Sequence, residues 1–490
     1  MPLILPGNVA SATAAVGYNV ANSCRFNDGD SPRMYKAGVT GTSRDAWTTS
    51  VWVKRGNVTT EQRILTFSGT DSTSAVTNII KFNADDSLLV VDNTDGSNNH
   101  IHIQTSRLFR DPSAWYHIVV AVDSGQGTEA NRVKIYINGT QETSFSDETY
   151  LAEDADTLMG IGSGYEFVLS SWKGNNNQYF DGYLAEVVHI DGLQLAATSF
   201  GEFDEDSPTI WKPIDVSELT FGNNGFYLDF EASDNLGNDA NGGTDLTETN
   251  LAAADQATDT PTNNFATLNP VYASRFDNDG LLSEGNNKIT FTAANADTGF
   301  GMSTMGVTAG KWYWEIKLPT IARAGAGVGD ATRLAAFTAT FWDSDPSYAF
   351  QVSTYDGKIN ENNASTSYAN AASDDDIVMF ALDMDNHRCW YGINGTWQDS
   401  GDPTSGATGT GDVTTQISDQ THINTGEFMS PFVIDGSTSG QSAFEMNFGG
   451  CPAFAISSAA ADGNGYGAFE YAPPSGFLAL CSKNLGSSGG

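Results

Sequence analysis

The strongest constraint on this chain is a repeat of two residues. Trp47-Thr-Thr-Ser-Val-Trp-Val53, Trp115-Tyr-His-Ile-Val-Val-Ala-Val122, Arg132-Val-Lys-Ile-Tyr-Ile137 and Lys311-Trp-Tyr-Trp-Glu-Ile-Lys-Leu318 all alternate in character. Successive side chains of a strand point to opposite faces, so this pattern, rich in aromatic and β-branched residues, predicts half-buried strands. Clusters of Gly, Asn, Asp and Ser break the runs at short intervals, as in an antiparallel sandwich. No long amphipathic helical pattern occurs. Leu251-Ala-Ala-Ala-Asp-Gln256 allows a turn or two. With 490 residues the chain can bury more than one core. The expected fold class is all-β.

Two tight turns echo each other. Ile137-Asn-Gly-Thr140 and Ile393-Asn-Gly-Thr396 each follow a strand-like run. Asn-Gly is the preferred centre of a type I′ hairpin, because both residues tolerate positive φ. Similar hairpins are therefore expected in the two halves.

Charge divides the chain. There are 60 acidic and 23 basic residues, a formal charge of −37. No basic face is available to offset phosphate, so nucleic acid and anionic membrane are not expected partners. After Lys212 no Lys or Arg occurs until Arg275, and Asp, Asn, Gly and Thr crowd the stretch between. That composition predicts a solvated acidic connector over residues 213–270, with Gly225-Phe-Tyr-Leu-Asp-Phe230 able to pair as a strand. The apolar, Gly- and Ala-rich residues 1–21 suit an anchor to a neighbouring subunit. They lack the charged start of an export leader, so synthesis in a cytoplasm is expected. The four cysteines, Cys24, Cys389, Cys451 and Cys481, are scattered and are expected as buried free thiols.

Residues 22–212 resemble a laminin-G-like, concanavalin-type jelly roll. The matching residues are Trp47 to Lys54, Trp115 to Val120, Val133-Lys-Ile-Tyr-Ile-Asn-Gly139 and Phe180-Asp-Gly-Tyr-Leu-Ala-Glu-Val187. Residues 271–490 resemble a SPRY domain through Gly310-Lys-Trp-Tyr-Trp-Glu-Ile316, Met379-Phe-Ala-Leu-Asp-Met-Asp385, Trp390-Tyr-Gly-Ile-Asn-Gly395 and Phe444-Glu-Met-Asn-Phe-Gly-Gly450. Tyr471-Ala-Pro-Pro-Ser-Gly-Phe-Leu-Ala-Leu-Cys481 is similar to the closing strand of SPRY-containing virion proteins of tailed bacteriophages. Trp211-Lys-Pro213, Asn223 to Phe230 and Pro261 to Pro270 are similar to the joining segment of phage proteins that pair these folds. The resemblance implies two concanavalin-like antiparallel β-sandwiches joined by the acidic connector. It also implies a structural or adhesive virion protein: a tail fibre, a head fibre or a capsid decoration. Such a protein is assembled in the host cytoplasm and displayed on the particle exterior. Other virion proteins and host-surface polysaccharide are then the expected partners, with a homo-oligomer supplying avidity.

Candidate sites follow from chemistry. Glucanases of the jelly-roll superfamily carry Glu-x-Asp-x-x-Glu on one strand, which points alternate carboxylates into a cleft. Glu202-Phe-Asp-Glu-Asp-Ser207 comes nearest, but Ser207 replaces the second Glu. No catalytic residues are assigned and no enzyme activity is expected. A polysaccharide depolymerase and a bacterial surface adhesin are the competing functions. Asp28 and Asp30 offer two close carboxylates for calcium, which laminin-G-like folds hold at a sandwich rim. His100 and His102 share a strand face without a visible third ligand. Glycans are held by aromatic faces and by Asn or Asp bonding to hydroxyls. Trp172, Asn175, Asn176, Asn177 and Tyr179 form one such loop, and Trp342, Asp343 and Tyr348 a second. Trp47, Trp52, Trp115, Trp312 and Trp314 lie in strands and are expected to pack.

Overall fold

In a computed structural model, residues 17–69, 77–93, 100–159, 162, 164–172, 177–273, 280–291, 299–334, 349–361, 364–416, 423, 427–437 and 441–488 are described. The chain divides into two units, one ending at Thr262 and one running from Asn263.

The first unit is a sandwich of two antiparallel sheets. Its strands are β1 (Ser23–Phe26), β2 (Arg33–Ala37), β3 (Ala46–Arg55), β4 (Gln62–Gly69), β5 (Thr77–Phe82), β6 (Ser87–Asn93), β7 (Ile101–Leu108), β8 (Trp115–Asp123), β9 (Val133–Ile137), β10 (Thr140–Gln141), β11 (Phe145–Thr149), β12 (Tyr165–Leu169), β13 (Gly182–Asp191), β14 (Gly201–Phe203), β15 (Trp211–Pro213), β16 (Phe226–Leu228), β17 (Thr247–Thr249) and β18 (Gln256–Ala257). One sheet runs β10-β9-β8-β3-β13-β1-β18, with β16 also on β13. The other runs β11-β7-β6-β5-β4-β12-β2-β17. The alternation decides what lies between them. Trp47, Val51 and Val53 of β3 and Ile118, Val120 and Val122 of β8 enter the core, as do Phe67, Val90, Ile103 and Phe167 of the facing sheet. The residues between them turn outward.

The acidic segment is not a solvated connector. It supplies β16, β17 and β18, which pair with β13, β2 and β1. Its carboxylates neutralise bases of the sandwich. Asp255 pairs with Arg25 at 3.0 Å, Asp239 with Lys36 at 3.9 Å and Asp259 with Lys54 at 2.6 Å. Charge that reads as solvated along the chain is thus partly buried against opposite charge.

The second unit is also a β-sandwich. One sheet runs Gly280–Ser283, Lys288–Phe291, Ala443–Asn447, Lys311–Thr320, Ile377–Asp383, Arg388–Ile393, Thr396–Trp397. The other runs Gly299–Met302, Met429–Asp435, Ala324–Asp330, Ala349–Ser353, Lys358–Glu361, Ala364–Ser367. Trp312 and Trp314 are buried between them with Phe380, Phe350 and Phe444. The tail closes the outer face. Leu478–Ala479 pairs in parallel with Trp312 and Tyr313. Buried Glu315 accepts the Tyr313 hydroxyl at 2.9 Å, Asn447 Nδ2 at 3.0 Å and the backbone N–H groups of Glu470 and Tyr471 at 2.9 and 2.7 Å.

Both Asn-Gly turns take the expected form. Asn138 and Gly139 have φ of 47° and 77°, and Asn394 and Gly395 have 47° and 78°. All four cysteines are free and buried. Among the described residues no helix is long and apolar enough to cross a membrane.

Candidate functional site

The outward face of the sheet containing β4, β5, β12 and β2 gathers the binding chemistry. Residues directly opposite on antiparallel strands project from the same face. Tyr35, Val168, Thr66 and Ile79 therefore form one row across four strands, and Glu166 and Ser68 belong to the next row. Thr247 and Thr249 of β17 stand opposite Tyr35 and Arg33, so the acidic segment supplies one border of this face. Ile79, Leu89 and Val91 make a small apolar cluster on it.

The loop after β12 borders this face. Its neck is closed by a bridge between Trp172 and Asn177, in which Trp172 N–H donates to the Asn177 carbonyl at 3.4 Å. Arg63, on β4, holds the loop from below. Its Nε donates to Gln178 Oε1 at 2.6 Å and its backbone N–H to the Gln178 carbonyl at 3.0 Å. The guanidinium lies 4.6 Å from the centre of the Trp172 ring, a cation–π contact. Burial lowers the Arg63 pKa to about 10, and its Nη1 has no hydrogen-bond partner among the described residues. Trp172 and Tyr179 are half-buried and Asn177 is exposed. The corner therefore offers an aromatic edge beside a donor and an amide, the elements that hold a sugar.

Of the expected glycan residues, Trp172 and Asn177 meet at the neck of the loop, and half-buried Tyr179 follows it in the chain. Asn175, Asn176, Trp342, Asp343 and Tyr348 lie outside the described residues. Arg63 and Gln178 were missed by sequence reasoning, because they meet only through the fold, 115 positions apart.

The carboxylates of Asp28 and Asp30 are each engaged by an asparagine side chain. Asn57 Nδ2 donates to Asp28 Oδ2 at 3.2 Å and Asn27 Nδ2 to Asp30 Oδ2 at 2.7 Å. Among the described residues no three His, Cys, Asp or Glu side chains gather as a metal-binding group. His102 faces Asp147, with 3.6 Å between Nε2 and Oδ2.

A serine and a histidine do meet, on the other sheet. Ser50 Oγ lies 2.8 Å from Nε2 of fully buried His117. Trp211 donates its indole N–H to His117 Nδ1 at 2.9 Å, and Trp52 stacks on the ring at 4.7 Å. Burial lowers the His117 pKa to about 3.

Another buried carboxylate sits at a bulge in β13, where the strand's partner changes from β1 to β16. Glu186 has φ of 48° there. Its Oε2 accepts the hydroxyls of Tyr227 at 2.8 Å and Tyr18 at 3.2 Å. Burial raises its pKa to about 8.

Comparison with known proteins agrees with this architecture. Residues 29–192 match the family model described as the concanavalin A-like lectin/glucanases superfamily, and residues 311–421 match the SPRY domain model. No curated protein matches the sequence. Among solved structures, the SPRY domain of human HERC1 is similar at 16% identity, covering 36% of this chain and 96% of that one, with a TM-score of 0.28. A heptameric SAP-like pentraxin from Limulus polyphemus is similar at 13% identity, covering 36% and 80%, with a TM-score of 0.26. The CBM40 domain of a Ruminococcus gnavus IT-sialidase, solved with α2,3 sialyllactose, is similar at 14% identity, covering 31% and 88%, with a TM-score of 0.24. The chain thus carries a concanavalin A-like lectin/glucanase-type domain followed by a SPRY domain.

Proposed function

We infer that this chain is a non-enzymatic adhesion component on the exterior of a tailed-bacteriophage particle, and that its first sandwich binds host-surface glycans. The matched superfamily covers lectins and glucanases, so sugar binding and sugar cleavage are the two chemistries to weigh. The observation that carries the binding reading is the corner where half-buried Trp172 lies over Arg63, whose guanidinium is held by Gln178. The interrupted carboxylate pattern at Glu202 to Ser207 speaks against the glucanase chemistry. The resemblance of residues 211–270 and 471–481 to segments of phage virion proteins supports the location, with the SPRY domain facing other virion proteins and repeated copies adding avidity.

Two measurements test this. Mass spectrometry of purified particles should detect the chain. Its confinement to the cell wall of uninfected bacteria would make it an adhesin of the host instead. Purified chain in excess should also block particle adsorption to host cells, and undiminished adsorption would contradict the adhesive role.

A further inference from the structure

A buried lysine and a buried aspartate meet inside the first sandwich without a hydrogen bond. Lys36 of β2 lies two residues from Met34 and opposite Phe167 of β12, both core residues, so it points inward. Its Nζ is 5.3 Å from the centre of the Phe226 ring and 3.9 Å from Oδ2 of Asp239. The two side chains are 7% and 0% exposed. The separation is too long for a hydrogen bond, and Asp239 Oδ2 has no hydrogen-bond partner among the described residues. Lys54, by contrast, donates to Asp259 at 2.6 Å. A buried ion pair repays its desolvation only with such contacts, so Lys36 and Asp239 gain little by staying charged. Burial lowers the Lys36 pKa and raises that of Asp239, which favours the free amine and the protonated acid.

We propose that Lys36 and Asp239 condense into a side-chain amide that ties β2 to the acidic segment. The carboxyl is set for this step. Its Oδ1 accepts the backbone N–H groups of Tyr227 and Asn241 at 3.0 and 3.2 Å. Two N–H groups on one oxygen stabilise the negative charge which that oxygen gains when a nucleophile adds to the carbon. Oδ2, the unpaired oxygen, faces the amine. Gly243 leaves it room, because a side chain at that position would meet Oδ2. The uncharged Nζ adds to Cγ and the C–N bond forms. The adduct expels Oδ2 as water, with the proton the acid carried and one taken from the amine. The second amine proton stays on the amide nitrogen. Oδ1 becomes the amide carbonyl oxygen and keeps its two N–H donors. No oxidant or cofactor takes part. The link closes a loop of some 200 residues and restrains the unfolded chain as a disulfide does. It needs no cysteine, in a chain whose four cysteines are free and buried.

Mass spectrometry of the purified full chain, folded and then denatured, tests the proposal. The protein should weigh one water less than its sequence requires. Its digest should contain a branched peptide that joins the segment around Lys36 to the segment around Asp239. Lys36→Met and Asp239→Ala should each restore the full mass and abolish the branched peptide. A parent digest in which Lys36 and Asp239 occur only in separate peptides overturns the proposal, whether or not the variants fold. A missing water that persists in Lys36→Met also overturns it, because the dehydration then lies elsewhere, as in a succinimide at another aspartate.

Discussion

Trp211 donates its indole N–H to His117 Nδ1 across 2.9 Å, and this bond fixes which nitrogen of the histidine carries the proton. An indole can only donate, so Nδ1 is the acceptor and neutral His117 is protonated at Nε2. Nε2 therefore donates to Ser50 Oγ. In a hydrolytic dyad the imidazole accepts the serine proton, so this pair runs in the opposite sense. Its role is to join β3, β8 and the β14–β15 hairpin. Trp211→Phe should cost about 1–3 kcal/mol, because it leaves a buried ring nitrogen unpaired. Chemical denaturation reads the loss, and a stability equal to that of the parent chain would show that the bond contributes nothing.

The acidic segment should prove integral to the first sandwich. Lys54 and Asp259 are each 1% exposed at their side chains, and Asp259 also accepts the Trp115 indole N–H at 3.1 Å. Removing one partner of a buried pair typically costs about 3–5 kcal/mol. Asp259→Ala is expected to lower stability by that order in a urea titration. A loss below about 1 kcal/mol, typical of an exposed pair, would place this segment outside the folded unit.

Stability should depend on pH through a small set of buried groups. The folded pKa of Glu186, about 8, lies above its ordinary 4.5. Between those values the folded chain holds a proton that the unfolded chain releases, so stability falls as pH rises through this window and then levels. His117 and His189 run the other way. Burial lowers their pKa values to about 3 and 4, so stability falls as pH drops below 6.5, where the unfolded imidazoles take up protons. Glu186→Gln keeps an acceptor for Tyr227 and Tyr18 and removes the titration. Between pH 6.5 and 9 the parent should lose melting temperature relative to the variant, and parallel curves would show that Glu186 does not titrate in this range.

Salt should stabilise the chain. A charge of −37 repels itself, and screening shortens from about 10 Å at 0.1 M to about 3 Å at 1 M salt. The buried pairs are little affected by screening, so the relief of surface repulsion dominates. The melting temperature should rise from 0.1 to 1 M NaCl. A flat or falling curve would show that surface self-repulsion does not limit stability.

The strands were legible in the sequence because alternation is a local property. Trp47, Val51 and Val53 enter one core, and Trp312 and Trp314 the other. The Asn-Gly hairpins were legible for the same reason. The acidic segment was harder. Its core residues Phe226, Leu228, Phe230, Leu236 and Leu246 are spread among Asp, Asn and Gly, and the bases that its acids neutralise lie some 200 positions earlier. The outward face of the first sandwich was not legible at all. Tyr35 and Val168 are distant in the chain and share a row only through the pairing of β2 with β12. The aromatic loop was visible as composition, but the guanidinium beneath Trp172 was not.

The first sandwich is proposed to hold host glycan without cutting it. The most direct measurement incubates the full chain with purified host-surface polysaccharide and follows bound polymer and new reducing ends together. The expected result is saturable retention, weakened by Trp172→Ala, with reducing ends constant over time. A steady release of reducing ends, abolished by substituting a single carboxylate, would contradict it and make the protein a depolymerase.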